Sequence, residues 1–178
     1  MIEGIASFVA WLGASLIVLA DGRRGLALGI ALAAAGLAAV TWLGAGPVPA
    51  GILALGGGIA AGRRLASGPG RWAVMPPGST PRLILCVASA LVALWIALGI
   101  TSGQSAALRF AGLVVIVLAG ARILSSTDPH VQLTGGAVLA LAIGAAASLA
   151  GGDLWPYAAA AAVAAGACWL PLSAPRAA

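Results

Sequence analysis

The fold class is decided by one apolar run, LALGIALAAAGLAAVTWL, at residues 26–43. The run begins just after the pair Arg23-Arg24 and ends at the turn-forming sequence GAGPVP, residues 44–49. A bilayer core about 30 Å thick is crossed by about 20 helical residues. A run of this length, bounded by charge on one side and by glycine and proline on the other, predicts a transmembrane helix.

Further apolar runs lie on both sides of this one, at residues 2–20, 50–62, 83–100, 106–124, 133–150 and 157–170. They predict an all-α integral membrane protein of seven transmembrane helices, with residues 1–178 forming a single transmembrane domain. Its parts are an N-terminal span (1–25), a first hairpin (26–64), a cytoplasmic loop (65–82), a second hairpin (83–124) and a third hairpin (133–170). Run 50–62 is short, so it is either a thin span, which we favour, or half of a re-entrant pair with run 26–43.

The composition excludes most soluble classes of protein. Hydrophobic residues make up 62% of the chain and charged residues only 7%. The surface of a water-soluble domain needs far more charge, so a soluble enzyme, a nucleic-acid-binding domain and a disordered chain are all excluded. Glu3, at the start of the first run, is the only charged side chain within it, and the arginine pair follows that run. This is the reverse of a cleavable signal peptide and predicts an uncleaved span.

The basic residues predict the orientation. Alternating the seven runs places Arg109 alone on one side and the rest of the arginines on the other: Arg23, Arg24, Arg63, Arg64, Arg71, Arg82, Arg122 and Arg176. Cytoplasmic loops are enriched in basic residues. We therefore expect the N-terminus outside and the C-terminus in the cytoplasm, in a bacterial plasma (inner) membrane. Seven of these arginines are expected to act as topology determinants and to contact anionic lipid: Arg23, Arg24, Arg63, Arg64, Arg71, Arg82 and Arg122.

The three hairpins share a pattern that indicates an internal parallel repeat. The second helix of each reaches Ala-Gly at a similar depth, at residues 61–62, 119–120 and 165–166. In the first two copies an arginine follows two residues later, at Arg64 and Arg122, whereas the third copy has Cys168.

This arrangement resembles the HdeD family of acid-resistance membrane proteins. The likeness lies in residues 44–64 and 103–122, with 151–169 as a third copy, and it covers about 26–170. It implies three parallel transmembrane hairpins and a stress-related or accessory role in the membrane, with no catalytic residues to carry over. The first span lies outside this six-helix pattern, and the third copy lacks its arginine.

The charged, histidine and cysteine side chains indicate no catalytic, cofactor-binding or metal site. Ionisable groups deep in a membrane are usually functional, but the charged residues here lie at run ends or in turns. Arg109 and Arg122 are expected to reach the membrane surface from within about one turn of a helix end. His130 is expected to be a solvated turn residue, and Cys86 and Cys168 are expected to be isolated core residues. The chain is therefore predicted not to be an enzyme and to need no cofactor.

Small residues at four-residue spacing predict close helix packing. They are Gly25 and Gly29, Gly58 and Gly62, and the series Ala158, Ala162 and Gly166. These faces pack either within the chain or against partner helices, and the last of them favours a partner.

The sequence favours one function and leaves a second one as an alternative. The first is a non-enzymatic accessory or scaffold subunit that binds membrane lipids and other membrane subunits, or a second copy of itself, but no nucleic acid. The alternative is a small-solute transporter or channel, which needs a water-filled cavity with polar groups at mid-depth. Thr41, Ser89 and Ser148 are the candidates for such groups, and glycines in run 50–62 would unwind to bind the solute.

Overall fold

Seven α-helices form the described part of the chain. In this computed structural model the described residues are 1–66, 79–100 (backbone only for 98–100), 106–149, 151 and 153–170. The helices are α1 (Ile2–Leu19), α2 (Arg23–Ala45), α3 (Pro47–Ala66), α4 (Thr80–Ile100), α5 (Ala106–Ser125), α6 (Pro129–Ala146) and α7 (Trp155–Ala167), with a 3₁₀ turn at Ala147–Leu149. Most of the predicted loop 65–82, with Arg71, and the tail with Arg176 lie outside the described residues.

Five of these helices are long and apolar enough to cross a membrane, which confirms the all-α membrane class. They are Ile2–Leu19, Arg23–Ala45, Thr80–Ala97, Ala106–Ser125 and Pro129–Leu149. The other two differ from the predicted spans. At 1.5 Å per residue, the 20 residues of α3 cover about 30 Å, but the 13 residues of α7 cover only about 20 Å.

Helix α3 is longer than the apolar run that predicted it. It starts at Pro47, where the missing N–H of proline costs nothing because the first turn has no partner for it. It ends beyond Arg63 and Arg64, whose charges favour a helix C-terminus. The helix continues unbroken through Gly56–Gly58. A single continuous helix of 20 residues therefore stands where the sequence predicted a shorter element.

Helices α6 and α7 also begin and end elsewhere than predicted. Residues 125–130 were expected to form a turn, but α6 already starts at Pro129 because Asp128 caps it. The Asp128 carboxylate accepts a hydrogen bond of 2.8 Å from the backbone N–H of His130. At the other boundary, α7 ends at Ala167 rather than at residue 170.

The helices alternate in direction, so their ends gather into two layers. We call one layer the arginine end, because Arg64, Arg82 and Arg122 lie there with the α1–α2 and α5–α6 turns. The other layer is the Glu3 end. There the start of α1, the end of α2, the start of α5 and the 3₁₀ turn line one cavity.

Helices α1 and α2 approach one another most closely, and glycine makes this possible. A Cβ atom built on Gly13 would lie 2.2 Å from the backbone nitrogen of Ala33, and one built on Gly36 would lie 2.3 Å from that of Ala10. Lipid is as apolar as leucine, so burying apolar side chains does not drive helix association inside a membrane. Backbone contact through small residues supplies dispersion energy instead.

The α1–α2 contact recurs between α5 and α6. A Cβ atom on Gly29 would meet Ile17 at 2.6 Å, and one on Gly135 would meet Ile123 at 2.7 Å. The two glycines are as far apart along the chain as the two isoleucines. Helices α1 and α5 also pack together, as do α3 and α7, with α2 against α6 between them. This packing relates α1–α3 to α5–α7, a different division of the chain from the three hairpins expected from the sequence.

A hydrogen bond explains why Trp11 lies in the middle of α1. Its indole N–H donates a hydrogen bond of 3.2 Å to the backbone carbonyl of Cys86 in α4. Buried indoles need such a partner, so this tryptophan joins α1 to α4, whereas the strongly exposed Trp42, Trp95 and Trp155 do not face the core.

Candidate functional sites

A cluster of charges at the arginine end joins three helices. Arg122, at the last turn of α5, is only 2% exposed. Its guanidinium donates to the Ala20 carbonyl at 3.2 Å and also to the Asp21 carboxylate. Arg82, in the first turn of α4, donates to the same carboxylate at 3.1 Å. Arg122 was expected to reach the membrane surface; instead it is held inside the bundle by the chain that follows α1.

Two neighbouring arginines favour the ionised form of the Asp21 carboxyl. Partial burial raises its pKa, but the hydrogen bonds and charges of Arg122 and Arg82 outweigh burial and hold that pKa below its ordinary value. The ion pairs therefore stabilise the fold at neutral pH. That contribution is lost as the pH falls through the lowered pKa, because the protonated carboxyl no longer attracts the two arginines.

Arg64 makes a second buried clamp at the same end. It is 3% exposed, lies in the last turn of α3, and reaches across to the first turn of α6. Its guanidinium donates to the His130 carbonyl at 2.6 Å and to His130 Nδ1 at 3.1 Å. Because arginine only donates, Nδ1 is the acceptor of this hydrogen bond. His130 was expected to be a solvated turn residue, but it is half-buried and belongs to α6.

Arg64 and Arg122 were singled out by the sequence as equivalent positions in two hairpins. The structure places both at the arginine end, both buried, and both donating to a main-chain carbonyl at a helix boundary. Their roles are positioning ones: each fixes the end of one helix against another. The interactions in these clamps are hydrogen bonds and a charge pair.

The remaining predicted basic residues lie on the outside of the arginine end. Arg24 and Arg63 are exposed, and Arg23 and Arg82 are half-buried. The Arg63 guanidinium carbon lies 4.6 Å from the centre of the Trp169 ring, a cation–π contact that joins the ends of α3 and α7. These four side chains are accessible to solvent or lipid, whereas Arg64 and Arg122 are buried.

The small-residue faces divide into an internal and an external set. Gly25 and Gly29 are both buried in α2, and Gly29 packs against Ile17 of α1. The other five residues are exposed: Gly58 and Gly62 on α3, and Ala158, Ala162 and Gly166 on α7. The sequence missed Gly13 and Gly36, because neither has a small residue four positions away: Leu32 and Val40 flank Gly36 at that spacing, and Val9 and Ile17 flank Gly13. Their signal is the near-helical spacing of Gly29, Ala33 and Gly36.

The polar residues proposed for a mid-depth solute site are not brought together. Thr41 is fully buried in α2. The Ser89 hydroxyl donates to the Cys86 carbonyl of its own helix at 3.0 Å. Ser148 lies in the 3₁₀ turn, where it lines a cavity at the Glu3 end.

Two charges of opposite sign line that cavity. It has a volume of about 450 Å³ and lies among Glu3 of α1, the end of α2, Arg109 near the start of α5, and Ser148. An apolar groove of about 390 Å³ shares Leu108, Arg109 and Leu149 with it and continues along α5.

The cysteine and acidic residues form no metal site within the described ranges. Cys86 and Cys168 are both free thiols there, on α4 and after α7 respectively. Comparison of the chain with family models, with curated proteins and with solved structures gives no match.

Proposed function

We propose that this chain is a non-enzymatic multi-pass membrane protein that acts as an accessory or scaffold subunit. The observation that supports the proposal is a set of exposed small residues on α3 and α7, which lie beside the exposed Leu55, Ile59 and Val163. We call this set the α3–α7 face, and it comprises Gly58, Gly62, Ala158, Ala162 and Gly166.

Open space lies over the glycines of this face. A Cβ atom built on Gly58, Gly62 or Gly166 meets nothing within 4 Å. A neighbouring helix can therefore come as close to α3 or α7 as α1 comes to α2. Small residues lose almost no side-chain entropy when covered, and close backbones gain dispersion contacts that lipid tails supply less well.

The two helices lie side by side. They pack on each other where Gly56 meets Ala161, since a Cβ atom on Gly56 would lie 2.6 Å from the Cα atom of Ala161. One transmembrane helix of a partner, either another subunit or a second copy of this chain, would fit along this pair.

We further propose that all seven helices cross the membrane, with the arginine end in the cytoplasm and the N-terminus outside a bacterial plasma membrane. The uneven distribution of arginine supports this orientation. A stress-related role, as the HdeD-like hairpin pattern implies, is compatible with a scaffold and adds no chemistry to it.

The scaffold is favoured over a small-solute transporter by the positions of the cavities. The four cavities described lie at the Glu3 end or start from it. Gly56 and Gly57 pack against α7 and α2 in an unbroken helix, so these glycines serve packing instead of unwinding around a solute.

The test is to enlarge the α3–α7 face. Gly62→Leu and Gly166→Leu are expected to disrupt the assembly and increase mobility on a native gel of protein extracted in mild detergent. Gly136→Leu is the matched control, because a Cβ atom there also meets nothing within 4 Å but the residue lies on α6. Unchanged migration of both face variants would refute the proposal.

A further inference from the structure

We propose that the Glu3 end holds one zwitterionic phospholipid, with its headgroup between Glu3 and Arg109 and one acyl chain in the groove along α5. The groove is the apolar cavity lined by Ile96, Leu108, Gly112, Leu113, Ile116 and Ala146, together with Arg109 and Leu149. The site does not depend on a partner at the α3–α7 face.

The first observation is that a polar cavity and an apolar groove are joined. They share Leu108, Arg109 and Leu149. At about 450 and 390 Å³, each falls within the range of small-molecule sites, roughly 300–1,000 Å³. A polar compartment that opens into an apolar one matches an amphiphile, with its headgroup in the first and its chain in the second.

The second observation is the depth of the groove. Its lining on α5 runs from Leu108 to Ile116, which at 1.5 Å per residue is about 12 Å. One leaflet of a bilayer core is about 15 Å thick. The groove therefore extends from the Glu3 end to near the middle of the membrane, as an acyl chain of that leaflet does.

The third observation concerns Gly112, which is buried on α5 and lines the groove. A Cβ atom built there nevertheless meets nothing within 4 Å. The absence of a side chain at this position is what leaves room for the groove.

The walls of the polar cavity are held in place by Ser7. Its hydroxyl lies 2.8 Å from the Glu3 carbonyl and 3.1 Å from the Ala107 carbonyl, so it joins α1 to the start of α5. Glu3 is one helical turn before Ser7, and Arg109 is two residues beyond Ala107. The Ser7 contacts therefore hold the two segments that carry Glu3 and Arg109 together before the lipid binds. This lowers the entropy cost of lipid binding.

The charges select the headgroup. A carboxylate and a guanidinium on the same cavity complement a ligand with one charge of each sign. The phosphate of phosphatidylethanolamine would accept hydrogen bonds from Arg109, and its ammonium group would donate to Glu3. An anionic headgroup such as that of phosphatidylglycerol would also place its phosphate at Arg109, but it would place its glycerol against Glu3.

The experiment is native mass spectrometry of the delipidated full-length protein, titrated with phosphatidylethanolamine or phosphatidylglycerol of the same chain length. We expect one phosphatidylethanolamine to bind the wild type in preference to phosphatidylglycerol. Arg109→Gln should weaken it about tenfold, the loss expected for one charge-assisted contact. Glu3→Gln should abolish the preference between the two lipids.

Gly112→Leu fills the groove and should also weaken binding about tenfold without touching a charge. Gly120→Leu on the same helix is its control, since a Cβ atom there meets nothing within 4 Å and Gly120 does not line the groove. Arg24→Gln, at the arginine end, is the control for the loss of an arginine. Both controls should bind like the wild type.

Three results would each overturn the proposal. One is that phosphatidylethanolamine binds Gly112→Leu and Gly120→Leu with equal affinity. Another is equal affinity of the wild type for both lipids. The last is full displacement of the lipid by glycerophosphoethanolamine at comparable concentration, because that compound has no acyl chain and would show that the groove contributes nothing.

Discussion

Arg122 illustrates how a charged residue is accommodated near the end of a membrane helix. Its side chain is 2% exposed, whereas that of Asp21 is 38% exposed and that of Arg82 is 35% exposed. The sequence singled out Arg64 and Arg122 together, and the structure buries both at the arginine end. The sequence predicted the wrong direction for the Arg122 side chain, because only the packed structure shows that the Ala20 carbonyl lies within reach.

Replacing the two arginines that share Asp21 should have unequal effects. Arg122→Met leaves a buried carbonyl without its donor, so we expect a loss of about 1–3 kcal/mol in the free energy of unfolding. Arg82→Met removes an accessible ion pair, which is worth at most about 1 kcal/mol. Thermal unfolding in mild detergent, followed by circular dichroism, compares the two variants. An equal fall in Tm for both would contradict the role given to Arg122.

At the scale of the helix, the sequence predicted where apolar elements lie better than where they end. The apolar run at 50–62 underestimates α3, because helix-compatible prolines and arginines at its ends were counted as turn. The Asp128-Pro129 pair is an N-cap signal that would have placed the start of α6 correctly. The sequence predicted only part of the tight α1–α2 contact. Gly25 and Gly29 match the four-residue pattern, while Gly13 and Gly36 are identified only once the partner helix is known.

The α1–α2 contact should tolerate no added methyl group at Gly13. Gly13→Ala would bring a Cβ atom to 2.2 Å from the Ala33 nitrogen, so the helices must separate, at a cost of about 1–3 kcal/mol. Gly58→Ala is the control, since its Cβ atom meets open space and alanine favours a helix by up to about 1 kcal/mol. Tm should fall for Gly13→Ala and stay level or rise for Gly58→Ala. A Gly13→Ala protein as stable as the wild type would show that α1 and α2 are not in backbone contact.

At the scale of the whole molecule, the gathering of helix ends into two layers is the feature on which both proposals depend. The alternation of arginine along the sequence predicted these layers, and the structure brings Arg64, Arg82 and Arg122 together while Arg109 lies at the other end. The division into repeats was harder to predict. Alanine and glycine are so frequent that short sequence matches suggest hairpins, whereas the packing relates α1–α3 to α5–α7.

The central claim is that every helix crosses the membrane with the arginine end in the cytoplasm, and α3 and α7 test it most severely. In a Cys86→Ser, Cys168→Ser background, single cysteines replace exposed residues at both ends of each: Val48→Cys and Leu65→Cys for α3, Trp155→Cys and Leu170→Cys for α7. A membrane-impermeant maleimide should label positions 48 and 155 in intact cells, and positions 65 and 170 only after permeabilisation. Labelling of both ends of either helix from the same side would contradict the account.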